Sequence, residues 1–165
     1  MRPGIVVGIG LAALACRYRP QPVPVWGERA DVAKLAGEWE GEYSSTESRR
    51  TGSITFMITA QGDSAFGDVL MPVPAGEEAL RPIDPAQAHL THARSADLLS
   101  VQFVTITGGR LRGELEPYIA PDCECVVRTV FTGTVTGNTI AGTYLTTTPW
   151  GGRQEGRWRV ARVSP

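Results

Sequence analysis

Two segments of the chain follow the same hairpin plan, and this repeat constrains the fold more than any other feature. Residues 105–113, TITGGRLRG, match residues 134–142, TVTGNTIAG, in the order Thr, β-branched residue, Thr, Gly, two variable positions, aliphatic residue, variable position, Gly. The central Gly-Gly and Gly-Asn dipeptides are signals for two-residue turns between antiparallel strands. Turns of this length place four pairs of residues opposite each other on an inward face: Val104 with Gly113, Ile106 with Leu111, Phe131 with Tyr144 and Val135 with Ile140.

The chain from residue 28 onward predicts one short helix and about eight strands. ERADVAKLA, residues 28–36, permits a helix that Gly37 ends. Two-residue alternation and turn signals then indicate strands. The predicted strands cover residues 37–43, 54–58, 64–71, 98–107, 110–118, 125–136, 139–147 and 153–163.

Alternation within these strands separates an inward from an outward face. The inward face carries Trp39, Tyr43, Trp158 and Val160, and the outward, solvated face carries Glu38, Glu40, Glu42, Arg153, Arg157 and Arg159. A row of antiparallel strands with short turns can remove its unpaired edges by closing on itself. We therefore predict an all-β fold, an antiparallel up-and-down barrel of about eight strands with a short N-terminal helix.

The opening of the first strand resembles that of a known family. A short helix followed by Gly37-x-Trp39 is similar to the start of the lipocalins and related calycin barrels, and Trp158-Arg159 resembles their tryptophan-arginine ending. The resemblance implies a small hydrophobic ligand held inside the barrel. The chain departs from the family in having no second motif in its middle and no distant cysteine pair tying the C-terminal region to the barrel.

The first fifteen residues are typical of an export signal. Arg2 precedes an apolar run, residues 5–15, of about eleven residues, which suits a signal-peptide core and is too short to span a bilayer. Ala13-Leu14-Ala15 fits ordinary secretory cleavage, whereas Cys16 resembles the lipid-modified first residue of bacterial lipoproteins, with Ala13 and Leu14 in exchanged order. We favour lipidation, because a cysteine here is rare by chance in a chain with 3 cysteines.

This start predicts the organisation and location of the protein. Residues 1–15 are the signal peptide, residues 16–27 an extended proline-rich tether, and residues 28–165 one β-barrel domain. Arg17 is not the aspartate that marks inner-membrane retention in the lipoproteins that this start resembles. We expect a lipid anchor at Cys16 in the outer membrane, facing the periplasm or cell surface, or a secreted protein if Cys16 is not lipidated.

The charge pattern argues against one class of partner. The formal net charge is -1 at pH 7, and the basic residues are scattered through the strand-like segments rather than gathered in a run. Nucleic-acid binding leaves a basic patch or stripe, which is missing from this sequence. We expect no nucleic-acid partner, and the sequence identifies no protein partner.

Cys123 and Cys125 lie in a turn after Pro121-Asp122. In an oxidising compartment a disulfide between them is the first expectation. Residues two apart in an extended strand lie near the upper distance limit for a disulfide, so the backbone would have to turn there. Unpaired buried thiols and a metal or redox role remain open alternatives.

His89 and His92 are the only histidines, and they are spaced as one helical turn would place two metal ligands. With Cys123 and Cys125 they could form a tetrahedral zinc site of two nitrogens and two sulfurs. The same histidines lie in a long connection, residues 72–97, where exposed histidines are ordinary and a short helix over residues 85–93 is permitted. Connections of this length are often lids or binding loops. We expect neither a metal nor another cofactor.

Five side chains would project among apolar neighbours inside the barrel. These candidate ligand contacts are Tyr43, Gln102, Thr129, Tyr144 and Thr146. The alternative is that they satisfy one another or bind a trapped water. Trp39 and Trp158 are interpreted as closing the barrel floor.

The chain carries no catalytic signature, and we expect no enzyme. G-x-S-x-G, H-E-x-x-H, phosphate-binding and dinucleotide-binding patterns are all absent from the sequence. Three functions remain open. The first is an anchored lipoprotein binding a small, apolar ligand. The second is a structural or protein-interaction module with a solid barrel, and the third is a zinc or thiol protein.

Overall fold

Strands make up most of the described chain. The computed structural model describes residues 22–23, 25–61, 64–72, 81–82, 96–99 and 101–163. Within these, helix α1 spans Arg29–Leu35. The strands are β1 Pro22–Val23, β2 Val25–Gly27, β3 Gly37–Ser45, β4 Thr51–Gln61, β5 Ser64–Pro72, β6 Arg81–Pro82, β7 Ala96–Leu99, β8 Val101–Thr107, β9 Arg110–Leu115, β10 Tyr118–Ala120, β11 Cys125–Thr136, β12 Thr139–Thr147 and β13 Arg153–Arg162.

Each predicted strand overlaps an observed one, but β4 extends beyond the predicted residues 54–58 at both ends, and two other predicted strands are each divided. Strands β11 and β12 have the predicted bounds, and α1 ends before Gly37, whose φ of 124° is available to glycine but rarely to other residues. Residues 98–107 divide between β7 and β8, and residues 110–118 divide between β9 and β10. Strand β9 ends before Glu116-Pro117, because proline has no backbone N–H to donate to a ladder.

Eight long strands curl into an open half-barrel in the order β5-β4-β3-β13-β12-β11-β9-β8. Neighbours in this row are antiparallel, but β2 joins β8 in parallel. The sheet is therefore mixed and its edges do not close, so the prediction of a closed, purely antiparallel barrel is wrong in these respects. Short strands occupy the edges instead: β1 and β7 pair with β5, and β2 pairs with β8.

The predicted register of the two hairpins is confirmed. All four predicted pairs face each other: Val104 with Gly113, Ile106 with Leu111, Phe131 with Tyr144 and Val135 with Ile140. Ile106 and Ile140 are completely buried, while the predicted outward glutamates of β3 and arginines of β13 are exposed. One face of the curled sheet therefore supplies the core.

The end of the predicted tether belongs to the sheet. Residues 16–27 were expected to form an extended spacer that does not pack, and the described part of this segment is indeed extended. However, β2 adds to the edge of β8, and Val25 is buried in the core. An exposed strand edge offers unpaired backbone groups, which the extended segment satisfies. Residues 1–21, with Cys16, lie outside the described residues.

Helix α1, Trp39 and Arg162 close one end of the half-barrel, which we call the floor. Trp39 is completely buried, and its Nε1–H donates to the carbonyl oxygen of Leu35 at 2.9 Å. The guanidinium of Arg162 lies over the Trp39 ring, 4.2 Å from its centroid, and donates to the carbonyl oxygens of Lys34 and Ala36. One cation thus joins the last strand, the first long strand and the helix.

Asp31 fixes α1 to the turn between β8 and β9. Its carboxylate accepts a hydrogen bond from the ammonium of Lys34 at 2.6 Å and another from the backbone N–H of Gly108 at 2.7 Å. The bond from Lys34, followed by the bond from Gly108, holds the pKa of Asp31 below its usual value. Helix α1 is therefore held in place by Arg162 on one side and by the hydrogen bond between Gly108 and Asp31 on the other.

Replacing Arg162 with methionine removes the cation and keeps an unbranched side chain. We expect Arg162→Met to lower the free energy of unfolding by about 2 kcal/mol, because a cation–π contact and two charge-assisted hydrogen bonds are lost. Urea denaturation measures the change. The exposed Arg159 of the same strand provides the control, and Arg159→Met should change the free energy by less than about 0.5 kcal/mol. Equal losses in both variants would show that Arg162 does not hold the floor.

Candidate functional site

A cavity of about 140 Å³ lies inside the curl of the half-barrel. Its apolar walls include Ile54, Phe56, Leu111, Phe131, Ile140 and Trp158. Phe131 and Trp158 meet edge to face with their ring centroids 6.0 Å apart, and the Trp158 Nε1–H donates to the carbonyl oxygen of Thr132 at 3.0 Å. Trp158 was predicted to close the floor together with Trp39, but it forms part of the cavity wall.

Four of the five predicted ligand contacts line this cavity: Tyr43, Thr129, Tyr144 and Thr146. The fifth, Gln102, has an exposed side chain. The pairing of β8 with β9 shifts between Val101 and Phe103, so the alternation that pointed Gln102 inward is interrupted there. The inward orientation predicted for Gln102 is therefore wrong. Ligand contact by the other four side chains stays a prediction.

Three buried hydroxyls lie in a row along the cavity, and we call Tyr118, Thr129 and Thr146 the hydroxyl chain. Thr129 Oγ1 lies 3.0 Å from the Tyr118 hydroxyl and 2.7 Å from Thr146 Oγ1. Thr129 and Thr146 face each other across the β11–β12 pair, and Tyr118 comes from β10. All three side chains are buried and line the cavity. The hydroxyl chain is a small polar strip in a mainly apolar cavity wall.

Tyr118 is the member of the hydroxyl chain that the sequence analysis missed. The sequence placed it at the end of one continuous strand, which gave no reason to orient it inward. The break at Glu116-Pro117 starts a new strand, β10, in which Tyr118 pairs with Val127. The proline inside the predicted strand was the signal that could have located this break. Burial raises the pKa of Tyr118, so its hydroxyl remains a hydrogen-bond donor.

Tyr144 occupies space that a glycine leaves open. It lies opposite Gly156 across the β12–β13 pair, and a Cβ atom at position 156 would lie 2.1 Å from Tyr144 Cζ. Any side chain at position 156 would therefore displace the tyrosine ring. Burial raises the pKa of Tyr144 to about 12, and a hydrogen bond with the Ser45 side chain acts in the opposite direction.

Polar side chains border the end of the cavity opposite the floor, which we call the mouth. An ion pair joins two turns there, with Arg50 Nη2 2.7 Å from Asp122 Oδ1. The Arg50 side chain is 14% exposed and the Asp122 side chain 37% exposed. Both residues line the cavity, as do Ser48 and Gln154. The cation is thus the more buried partner, and the carboxylate offsets its charge.

A disulfide joins Cys123 and Cys125 beside the mouth. Their Cα atoms are 5.1 Å apart, which suits a disulfide because the chain turns at Glu124, where φ is 48°. Both cysteines pack in a small cluster of side chains that includes Tyr118 and Val127. The disulfide therefore lies next to Asp122 in the chain and next to Tyr118 in space.

Two of the four residues in the predicted zinc site, the histidines, are not described by the structure. His89, His92 and the helix predicted over residues 85–93 lie outside the described residues. The sulfur atoms of the two described cysteines are bonded to each other and are not thiolate ligands. Within the described part of the chain, no group of three or more His, Cys, Asp or Glu residues could hold a metal ion.

Comparison with known proteins identifies no family. No protein-family model matches the chain, and no curated protein matches its sequence. The family resemblance therefore extends only as far as a mostly β sheet curled into a half-barrel of eight strands. Among the residues that the structure describes, no helix is long and apolar enough to cross a membrane.

The raised pKa values of two tyrosines predict a loss of stability at alkaline pH. In the folded protein Tyr118 and Tyr144 keep their protons at pH values where the unfolded chain, with pKa values near 10.0, loses them. The contribution of Tyr144 is complete below about pH 10 and is lost as the pH rises through its folded pKa, about 12, whereas that of Tyr118 is lost as the pH rises through its own raised pKa. We expect the free energy of unfolding to fall over this interval in urea titrations, and to fall less steeply for Tyr144→Phe. An unchanged slope in that variant would contradict the assignment to Tyr144.

Proposed function

We propose that this protein is a lipocalin-like binding module of the bacterial envelope that holds a small, mainly apolar ligand. The observation that carries the proposal is the cavity inside the curled sheet, with largely apolar walls and a few polar groups. Binding sites for small molecules have this composition, because apolar walls provide affinity and a few polar groups provide orientation. The proposal is for binding without catalysis and needs no cofactor.

The size of the cavity limits what can bind. A closed apolar cavity of about 150 Å³ in another protein binds benzene. A cavity of about 140 Å³ therefore has room for one aromatic ring or a short branched chain. A larger ligand would extend through the mouth past Arg50 and Asp122, which line the cavity.

The difference between the two ends of the cavity supports entry of a ligand at the mouth. Trp39 is completely buried at the floor, with Leu35 above it in the cavity wall and Arg162 stacked on its ring. The mouth is bordered by two turns that the ion pair between Arg50 and Asp122 joins. Turns separate more readily than paired strands do, because fewer backbone hydrogen bonds have to break.

Toluene tests whether the cavity accepts a ligand. We expect calorimetry to detect toluene binding to protein purified from a bacterial envelope after expression of the full chain. Ile54→Phe adds atoms to the cavity wall and should weaken binding about tenfold. Met57→Phe places the same ring on the same strand at a position whose side chain is 62% exposed, so it should leave the affinity unchanged.

Thermal unfolding of both variants provides the control for correct folding. Absence of toluene binding to the wild-type protein would contradict the proposal and favour the alternative of a solid interaction module. Equal weakening by Ile54→Phe and Met57→Phe would show that toluene binds elsewhere.

The location of the module is a separate part of the proposal. We propose that Cys16 carries the lipid that anchors the protein in the outer membrane, with the chain facing the periplasm or the cell surface. Intact mass spectrometry of the protein purified after bacterial expression should show a diacyl or triacyl mass on a chain that starts at Cys16. The same measurement on Cys16→Ser should show no acyl mass. A wild-type chain that is cleaved but not acylated would indicate a secreted protein.

A further inference from the structure

The hydroxyl chain is a polar feature in the wall of a mainly apolar cavity. Its three hydroxyls carry three hydrogens, and two hydrogen bonds join Tyr118, Thr129 and Thr146. Among the described residues, these hydroxyls make no hydrogen bond to any other residue. A hydrogen bond between Tyr118 and Thr146 also contributes to lowering the pKa of Tyr118, so the three hydroxyls can bond to one another. The hydroxyl chain donates to a ligand when one of these hydroxyls rotates its hydrogen toward the cavity, since a hydroxyl hydrogen turns to suit the acceptor that is present.

The charges at the mouth favour a ligand whose hydrogen-bond acceptor is neutral. Among the described residues that line the cavity, Arg50 is the cation, and its charge is already offset by Asp122 at 2.7 Å. A carboxylate ligand would either compete with Asp122 for this guanidinium or be buried without a countercharge, and both are costly. A neutral oxygen atom bound at the hydroxyl chain requires no change in the ion pair.

The neighbouring side chains show where the apolar body of such a ligand would lie. Thr129 and Phe131 are two residues apart on β11, so their side chains project from the same face of the strand. Phe131 in turn contacts Trp158 edge to face. An oxygen at Thr129 would therefore bring an attached ring or short alkyl group against two aromatic side chains.

We propose that the cavity selects small neutral ligands that combine an apolar body with one oxygen acceptor, such as a ketone, ester or ether oxygen, bound by the hydroxyl chain. This inference rests on the proposed function and adds the chemical class of the ligand. It requires the hydroxyl chain to donate to the ligand, whereas the proposed function requires only that the cavity accepts an apolar molecule.

Two probes of nearly equal shape separate these requirements. Acetophenone carries a carbonyl oxygen where α-methylstyrene carries a CH₂ group. We expect calorimetry on the wild-type protein to show that acetophenone binds about fivefold more tightly than α-methylstyrene, as one additional hydrogen bond predicts. Benzoate should bind more weakly than acetophenone, because its charge has no free partner in the cavity.

A variant without the three hydroxyls tests their role. Tyr118→Phe, Thr129→Val and Thr146→Val combined replace every partner of the chain by an apolar group of similar shape, a change that stability tolerates better than removal of one partner. The triple variant should bind α-methylstyrene like the wild type and lose the preference for acetophenone. The matched control is Thr132→Val with Thr143→Val, which removes an exposed threonine pair, 3.2 Å apart, from the same two strands. This control should keep the preference.

Infrared spectroscopy of bound acetophenone tests the inference on the wild-type protein alone, whether or not the triple variant folds. The carbonyl stretching band should lie below its position in a hydrocarbon solvent, as hydrogen bonding requires. Equal affinity for acetophenone and α-methylstyrene, an unshifted band, or tightest binding of benzoate would each overturn the inference while leaving ligand binding intact. Failure of all three probes to bind would also overturn the inference, and toluene binding in the same assay would then show that the proposed function stands.

Discussion

The structure depends on one constraint, which is that a single sheet has to bury its own apolar face. The only described helix, α1, has 7 residues and is too small to cover eight long strands. A sheet without a second layer can exclude water from one face by curling, so that its strands pack against each other across the interior. The strict alternation of β9 and β13 serves this arrangement, because every second residue faces the interior.

The curl also explains why the two ends of the interior differ. Helix α1 covers the floor, where Trp39 is completely buried and Arg162 satisfies carbonyl oxygens at the end of the helix. No comparable element covers the mouth among the described residues, and the side chains there are polar, with the ion pair of Arg50 and Asp122. Such a gradient from apolar floor to polar mouth would orient a ligand of the kind that we propose.

The candidate site was predictable where alternation was regular. Thr129, Tyr144 and Thr146 lie in β11 and β12, whose bounds and register follow from a two-residue turn, and their inward positions were predicted correctly. Gln102 and Tyr118 were not, because a bulge and a proline each interrupt the alternation next to them. A single irregular residue reverses the face on which all following side chains lie, and local sequence gives little warning of it.

The sequence by itself determined that the fold is mostly β, the turns and register of the two repeated hairpins, and which residues of β3 and β13 face the interior. These are local properties, since turn chemistry and two-residue alternation act over a few neighbouring positions. Tertiary structure alone decided that the sheet stays open, that β2 pairs in parallel with β8, and that Arg162 stacks on Trp39. Arg162 and Trp39 lie at opposite ends of the domain sequence. Their meeting depends on the pairing of β13 with β3, in which they face each other, and no single segment specifies that pairing.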